Sequence, residues 1–161
     1  ISALAAAHIT SLGHETQDGA PIDELLAAVL GAYPADPAAL VIEGPRTWLA
    51  QSYITPVGLI LNELATNAVK YGAWSVPDGT VSISWTVSEA EAGLLLSVRW
   101  VERTPGFVPP ERTEPGFGSQ LIDLSVRQLG ASMSRRFAPD GLKISLTMEI
   151  SPEHAAEAIA A

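Results

Sequence analysis

The sequence contains no cysteine, which excludes a disulfide framework and any metal site built from thiolates. Positive charge is also scarce: 9 Lys and Arg stand against 18 Asp and Glu, so the formal net charge is −9. Nucleic-acid backbones are bound by clustered Lys and Arg, so this balance disfavours a nucleic-acid partner. An anionic ligand would need local compensation of its charge, for example by a metal ion.

Long hydrophobic runs are missing as well. No uninterrupted apolar run approaches the roughly 18 residues needed to cross a bilayer, and no basic segment precedes a signal-like core. We therefore expect a cytoplasmic domain that makes no contact with a membrane. The 161 residues, 47% of them hydrophobic, suffice for one domain with its own core. Because the chain opens with Ile1 inside a helical pattern, we expect a fragment of a longer protein.

The first half of the chain mixes helical and strand-like segments. Residues 1–15 and 22–33 contain helix-forming residues at helical spacing, and a long helix is predicted at about 54–73. Residues 39–45 and 47–50 are short strand-like runs around a Gly-Pro pair, which predicts a β-hairpin before that helix.

The second half is dominated by strands. Residues 80–87 and 94–102 should pair as antiparallel neighbours, and residues 132–138 and 142–150 should flank a Pro-Asp-Gly turn. A helix over residues 119–130 separates the two pairs. Neighbouring strands with helices between them predict an α+β fold, with the helices packed on one face of a mixed sheet.

The segment LNELATNAVKYG, residues 61–72, carries polar and apolar groups on separate faces of its helix. At about 100° per residue, Glu63, Asn67 and Lys70 fall within roughly 60° of one another, away from the apolar face. Asn67 can offer a metal an amide oxygen, Glu63 can orient or deprotonate a reacting group, and Lys70 can meet phosphate. The alternative is an ordinary amphipathic helix with a solvated stripe.

Two further segments add to this pattern. Glu102 ends a strand where the longest loop, residues 103–117, begins, and its carboxylate can accept a hydrogen bond from an exocyclic amine; the alternative is a solvated strand end. Gly116 and Gly118 precede a helix, so backbone N–H groups can face phosphate, although such glycine pairs are common. A nucleoside triphosphate with Mg²⁺ needs oxygen ligands for the metal, a cation or N–H donors for the phosphates, and an acceptor for the adenine amino group.

In their order and spacing, NELATNAVKYG, WVE, GFGSQLIDLSVRQLG and FAPDGLKISL resemble the ATP-binding catalytic domain of sensor histidine kinases. The resemblance is closest to the His-Trp-Glu (HWE) group and its relatives, within the GHKL superfamily of the Bergerat fold. It covers about residues 20–150. It implies a two-layer α/β sandwich with a mixed, mostly antiparallel sheet, which binds Mg-ATP between the Asn-bearing helix and a flexible loop.

Carried over position by position, the resemblance gives Asn67 the role of Mg²⁺ ligand and Glu63 that of the catalytic, polarising acid. Glu102 takes the adenine-reading place. The further ATP-binding positions are Lys70, Tyr71, Gly106, Gly116, Phe117, Gly118 and Ser119.

The resemblance also implies a domain organisation and a reaction. Residues 1–19 resemble the end of a dimerisation and phosphotransfer hairpin, residues 20–151 the catalytic domain, and residues 152–161 should form a weakly ordered or helical tail. The implied enzyme is a protein-histidine kinase that transfers the γ-phosphoryl of ATP to a His on an upstream helix and then to a response regulator, within a homodimeric parent protein. As this fragment, we expect it to bind ATP without autophosphorylating.

Departures from the family pattern keep two alternatives open. Asn62 stands where the HWE group has its His, and Arg103-Thr104-Pro105-Gly106 replaces a Gly-Gly-Pro stretch, which favours weaker ATP binding. One alternative is a degenerate, non-catalytic docking or phosphotransfer module, and the other is an anti-sigma-type serine kinase or an ATPase switch as in the gyrase-like relatives. We expect the four tryptophans to be core or rim residues. Arg135 and Arg136 could reach phosphate or a partner, but solvated strand positions are the favoured interpretation.

Overall fold

The computed structural model describes residues 19–110 and 117–151, which form three α-helices and seven β-strands. The helices are α1 (Ile22–Leu30), α2 (Gln51–Lys70) and α3 (Phe117–Gln128). The strands are β1 (Ala20–Pro21), β2 (Leu40–Glu43), β3 (Trp48–Leu49), β4 (Thr80–Ala90), β5 (Gly93–Arg103), β6 (Ser132–Ala138) and β7 (Gly141–Ile150). The N-terminal helix predicted to end a dimerisation hairpin, the C-terminal tail and Gly116 lie outside the described residues.

Five strands form one sheet in the order β2–β4–β5–β7–β6. β2 pairs with β4 in parallel, and the other three pairings are antiparallel. Alternate residues of β4, β5 and β7 are buried on one face, whereas Ser and Thr recur on the other. The predicted pairings of β4 with β5 and of β6 with β7 are confirmed, as is the mixed, mostly antiparallel sheet.

The helices cover the apolar face of this sheet. α2 lies between α1 and α3 and contacts both, and the apolar residues of these helices share one core cluster with those of the sheet. These elements form the predicted two-layer α+β arrangement. In the part of the chain that the structure describes, no helix combines the length and the apolar character required to cross a membrane.

The periodicity of α2 explains how it packs. Its core residues recur at intervals of three or four, as expected for one buried helical face; they include Ile54, Val57, Ile60, Leu61, Leu64, Ala65 and Ala68. The helix begins at Gln51, before the predicted start at 54. Pro56 lies in its second turn, where a missing N–H removes one backbone hydrogen bond without ending the helix.

The predicted hairpin between residues 39–45 and 47–50 is wrong. β2 pairs with β4, and β3 instead pairs with β1 in a separate two-stranded ladder. The connecting segment packs on Trp85, whose Nε1 donates to the carbonyl oxygen of Pro45 at 2.8 Å. A Cβ added at Gly44 would lie 2.3 Å from the Trp85 ring, so this glycine is required by close packing rather than by a hairpin turn.

Candidate functional site

A cavity of about 890 Å³ opens between α2, the start of α3, the segment after β5 and the strands β6 and β7. Its volume lies toward the upper end of the roughly 300–1,000 Å³ typical of ligand sites. Eight of the ten residues that the sequence singled out line it: Glu63, Asn67, Lys70, Tyr71, Glu102, Gly106, Gly118 and Ser119. Of the other two, Gly116 lies outside the described residues and the side chain of Phe117 is not described.

The wall formed by α2 presents three polar side chains one turn apart. Glu63 and Asn67 are half-buried, and Lys70 is exposed in the last turn of the helix. Gly118 lies directly against this wall: a Cβ added there would stand 2.6 Å from Glu63 Oε2. The start of α3 therefore approaches the Glu63 carboxylate more closely than most residue types would allow.

Glu102 is buried rather than solvated, so the interpretation as a solvated strand end is wrong. Its side chain is 3% exposed. Oε1 accepts a hydrogen bond from Trp100 Nε1 and Oε2 accepts one from the backbone N–H of Ala73, each at 3.0 Å. Because each carboxylate oxygen has two acceptor sites, Glu102 retains capacity to accept from a ligand in the cavity.

The end of α2 is shaped to receive this carboxylate. The backbone N–H of Gly72 donates to the carbonyl oxygens of Asn67 and Ala68, at 3.1 and 3.2 Å, which turns the chain out of the helix. A Cβ at Gly72 would lie 2.0 Å from Glu102 Oε2. Glycine at this position therefore lets the strand-end carboxylate reach the backbone that follows α2.

A series of polar and aromatic contacts supports Glu102 from behind. The Tyr33 hydroxyl donates to Asn62 Oδ1, and the Tyr33 ring stacks on Trp74 with centroids 6.3 Å apart. Trp74 meets the edge of Trp100 at 6.2 Å. Trp100 then donates to Glu102, so these contacts connect the segment after α1 and the middle of α2 to the cavity.

The tryptophans do not line the cavity. Trp85 and Trp100 are 3% and 2% exposed and belong to the core, while Trp48 and Trp74 are partly buried. The expectation that these residues are core or rim aromatics is confirmed.

The altered stretch after Glu102 forms an ordered turn. The backbone N–H of Phe107 donates to the carbonyl oxygen of Thr104 at 3.0 Å, and Gly106 between them has φ +72°. Pro105 followed by a glycine with positive φ is the pattern of a type II turn. The N–H of Thr104 also donates to the carbonyl oxygen of Asp140 at 2.8 Å, which ties this turn to the connection between β6 and β7.

Sequence reasoning missed the aromatic part of a cavity wall that is formed by β6 and the turn after β5. Phe107 stacks on Phe137 with ring centroids 6.0 Å apart, and the Arg135 guanidinium lies 5.5 Å from the centroid of Phe137. All three residues line the cavity. The available signal was the alternation along β6, because Arg135 lies opposite Ile144, whose side chain is buried in the core. Arg135 and Arg136 are both exposed on β6, as expected from the sequence, and Arg135 in addition lines the cavity.

The donor set of the site is poor in carboxylates. Among residues 19–110 and 117–151, no three His, Asp or Glu side chains come together in a way that could hold a metal ion unaided. Mg²⁺ is commonly bound by one or two protein oxygens together with substrate phosphates. The amide oxygen of Asn67 suits that mode of binding, in which most ligands come from outside the protein.

Two named relatives resemble the chain in sequence. It is 39% identical over 154 residues to blue-light-activated histidine kinase 1 of Erythrobacter litoralis. The matched region covers 93% of this chain and 42% of that protein. It is 33% identical over 156 residues to the blue-light-activated histidine kinase of Brucella ovis. The matched region covers 95% of this chain and 31% of that protein. The chain thus spans less than half the length of these relatives. No protein-family model matches it.

Solved structures resemble the chain in fold. The histidine kinase domain of the Erythrobacter litoralis EL346 blue-light-activated kinase superposes with a TM-score of 0.67 at 19% identity, covering 96% of this chain and 75% of that domain. The catalytic domain of the histidine kinase ThkA superposes with a TM-score of 0.56 at 15% identity, covering 82% and 95%. At such low identity these superpositions establish a common fold, which agrees with the predicted one.

Proposed function

This chain is related in sequence to histidine kinases and shares the fold of their catalytic domains, and on that premise we propose that it is the Mg-ATP-binding catalytic part of a sensor kinase. It would transfer the γ-phosphoryl group of ATP to a His on the phosphoacceptor helix of the parent protein, and a response regulator would then receive it on Asp. We place this domain, residues 20–151, in the cytoplasm as part of a homodimeric parent.

One observation supports this proposal above others. The carboxylate, amide and ammonium groups of α2 line the same cavity as the buried Glu102 and the start of α3. In the proposed complex, Glu102 accepts a hydrogen bond from the 6-amino group of adenine. Gly118 and Ser119 turn backbone N–H groups at the N-terminus of α3 toward phosphate, where the helix dipole favours negative charge.

The residues present fit a magnesium ion bound together with the nucleotide. Asn67 would hold the ion through its amide oxygen, and when bound the ion neutralises charge on the phosphate oxygens. Lys70, one turn further along α2, would contact phosphate. Glu63, whose carboxylate lies against Gly118, would orient or deprotonate the attacking imidazole.

A titration of ATP into the protein, with and without Mg²⁺, tests the assignment. We expect Asn67→Ala to weaken binding in Mg²⁺ by about tenfold or more, the size expected when a polar contact to a charged group is lost. We also expect the variant to lose most of the difference between the two conditions. Gln128→Ala is the matched control, because it removes an exposed amide at the far end of α3. Equal Mg²⁺ dependence in wild type and Asn67→Ala would contradict the proposed metal ligand.

Phosphotransfer separates the proposal from its alternatives. The full parent protein should label a His with radioactive phosphate from ATP, and Glu63→Gln should slow labelling more than it weakens ATP binding. A labelled Ser on a partner protein would favour the serine-kinase alternative, and failure to bind ATP at all would favour a docking module.

A further inference from the structure

Arg135 lies on the inward face of the sheet edge, beside the cavity. In the β6–β7 register it stands opposite Ile144, a core residue, whereas its neighbour Arg136 stands opposite Lys143 on the other face. Consecutive residues of a strand point to opposite faces. Two adjacent arginines on one strand therefore face different surroundings, and Arg135 is the one that lines the cavity.

The Arg135 side chain contacts an aromatic ring. Its guanidinium lies over Phe137, which stacks in turn on Phe107 in the turn that follows β5. Within the described residues, no Asp or Glu oxygen lies within 4.0 Å of it. A cation–π contact restricts the position of the group while its N–H donors remain available.

The charge of the cavity gives this group a role. Its described lining carries two carboxylates, Glu63 and Glu102, and two cations, Lys70 and Arg135. Without Arg135 the lining would carry net negative charge, in a protein whose formal charge is already −9. A polyphosphate entering such a cavity would be repelled unless cations on the wall offset the carboxylates.

We propose that Arg135 is a second phosphate-binding residue of the site, which contacts the nucleotide polyphosphate from the sheet edge while Lys70 contacts it from α2. This inference rests on the proposed nucleotide site and adds a specific ligand contact to it. The planar guanidinium presents paired donors that match phosphate oxygens, so a bidentate contact is the expected geometry.

The adjacent aromatic rings define a competing role. Guanidinium and phenyl groups can also stack on a nucleobase, and a wall of this kind would then bind adenine instead of phosphate. The two roles differ in how the loss of affinity caused by substituting Arg135 depends on the number of phosphates in the ligand.

The test measures dissociation constants of ATP, ADP, AMP and adenosine for wild type, Arg135→Gln and Arg136→Gln, each in Mg²⁺. We expect Arg135→Gln to weaken ATP by about tenfold, the lower end for a contact to a charged group because Arg135 is exposed. The loss of affinity should be smaller for ADP than for ATP, smaller again for AMP, and absent for adenosine. Arg135→Lys should recover part of the ATP affinity.

Arg136→Gln is the matched control. It removes the same charge from the adjacent residue, also exposed, so it reports the effect of net charge alone and should change ATP affinity by less than about twofold. An equal loss for all four ligands would overturn the phosphate contact in favour of stacking. Equal effects of the two Gln variants would overturn any direct contact.

The same experiment separates this inference from the proposed function. If wild type binds Mg-ATP and Arg135→Gln binds it equally well, only the role of Arg135 is overturned. If wild type binds none of the four ligands, the nucleotide site and the role of Arg135 are overturned together. Thermal unfolding of each variant establishes that a loss of binding is not a loss of fold.

Discussion

Substitution of Gly72 by Ala gives the sharpest test of how Glu102 is held. A methyl group at this position would lie 2.0 Å from Glu102 Oε2 and 2.9 Å from the Cα of Ala68. Since Cβ atoms essentially never lie closer than 3.0 Å to a heavy atom of another residue, the carboxylate oxygen must move by about 1 Å. That oxygen accepts the N–H of Ala73 at 3.0 Å, so the displacement breaks a buried hydrogen bond.

The magnitude follows from these contacts. A lost hydrogen bond to a buried charged group costs about 1.5–3 kcal/mol. Crowding against the backbone of α2 adds about 1 kcal/mol, the low end for overpacking, because the overlap with Ala68 is slight. Replacement of Gly by Ala normally stabilises by roughly 0.4–1 kcal/mol through the unfolded state, which offsets part of the loss. We therefore expect the free energy of unfolding to fall by about 2–3 kcal/mol.

Urea unfolding followed by tryptophan fluorescence and by circular dichroism measures this change. Gly130→Ala is the control, because Gly130 has φ +60° with open space around its added Cβ, so only backbone strain of about 1 kcal/mol is expected. Gly72→Ala should also weaken ATP binding, whereas Gly130→Ala should not. If Gly72→Ala costs no more stability than Gly130→Ala, the close approach of Glu102 to the end of α2 is refuted.

Two further substitutions test the surroundings of the cavity. Trp100→Phe replaces the indole by a smaller aromatic ring and removes the donor to Glu102, so the preference for ATP over a triphosphate lacking the 6-amino group should fall several-fold, as expected for a weakened polar contact. Trp85→Phe, which removes a buried indole donor elsewhere, should leave that preference unchanged, and a parallel change in competition binding would contradict the role of Trp100. Thr104→Val removes a buried hydroxyl that has no hydrogen-bond partner among the described residues, so the free energy of unfolding should stay level or rise by up to about 1 kcal/mol. A loss of more than about 1 kcal/mol in urea unfolding would show that this hydroxyl is satisfied.

The parts of the fold that depend on neighbours in sequence were predictable. The two faces of α2 follow from the spacing of its residues, because a helix places positions three and four apart side by side. The pairs β4–β5 and β6–β7 each join consecutive strands through a short turn, so pattern and turn residues suffice to predict them. The convergence of Glu63, Asn67 and Lys70 on one cavity wall belongs to the same class, since all three lie on a single helix.

Contacts between distant segments were not predictable in this way. The strand-like runs around Gly44 and Pro45 have the pattern of a hairpin, yet β2 pairs with β4, and Trp85 donates a hydrogen bond to the carbonyl oxygen of Pro45. Glu102 has the local sequence of a solvated strand end, and its burial depends on Trp100 and on the backbone after α2.

The amino-acid sequence by itself determined the kind of protein and the chemical groups available to its site, because periodicity, turn residues and motif spacing are properties of short segments. Only the tertiary structure decided where those groups meet. Arg135 illustrates the difference: its strand and its alternation are local, but whether that face of the sheet edge meets solvent, core or cavity depends on how α2, α3 and the turn after β5 pack around it. Packing of this kind sums many weak contacts between residues far apart in the chain, and no short segment carries that information.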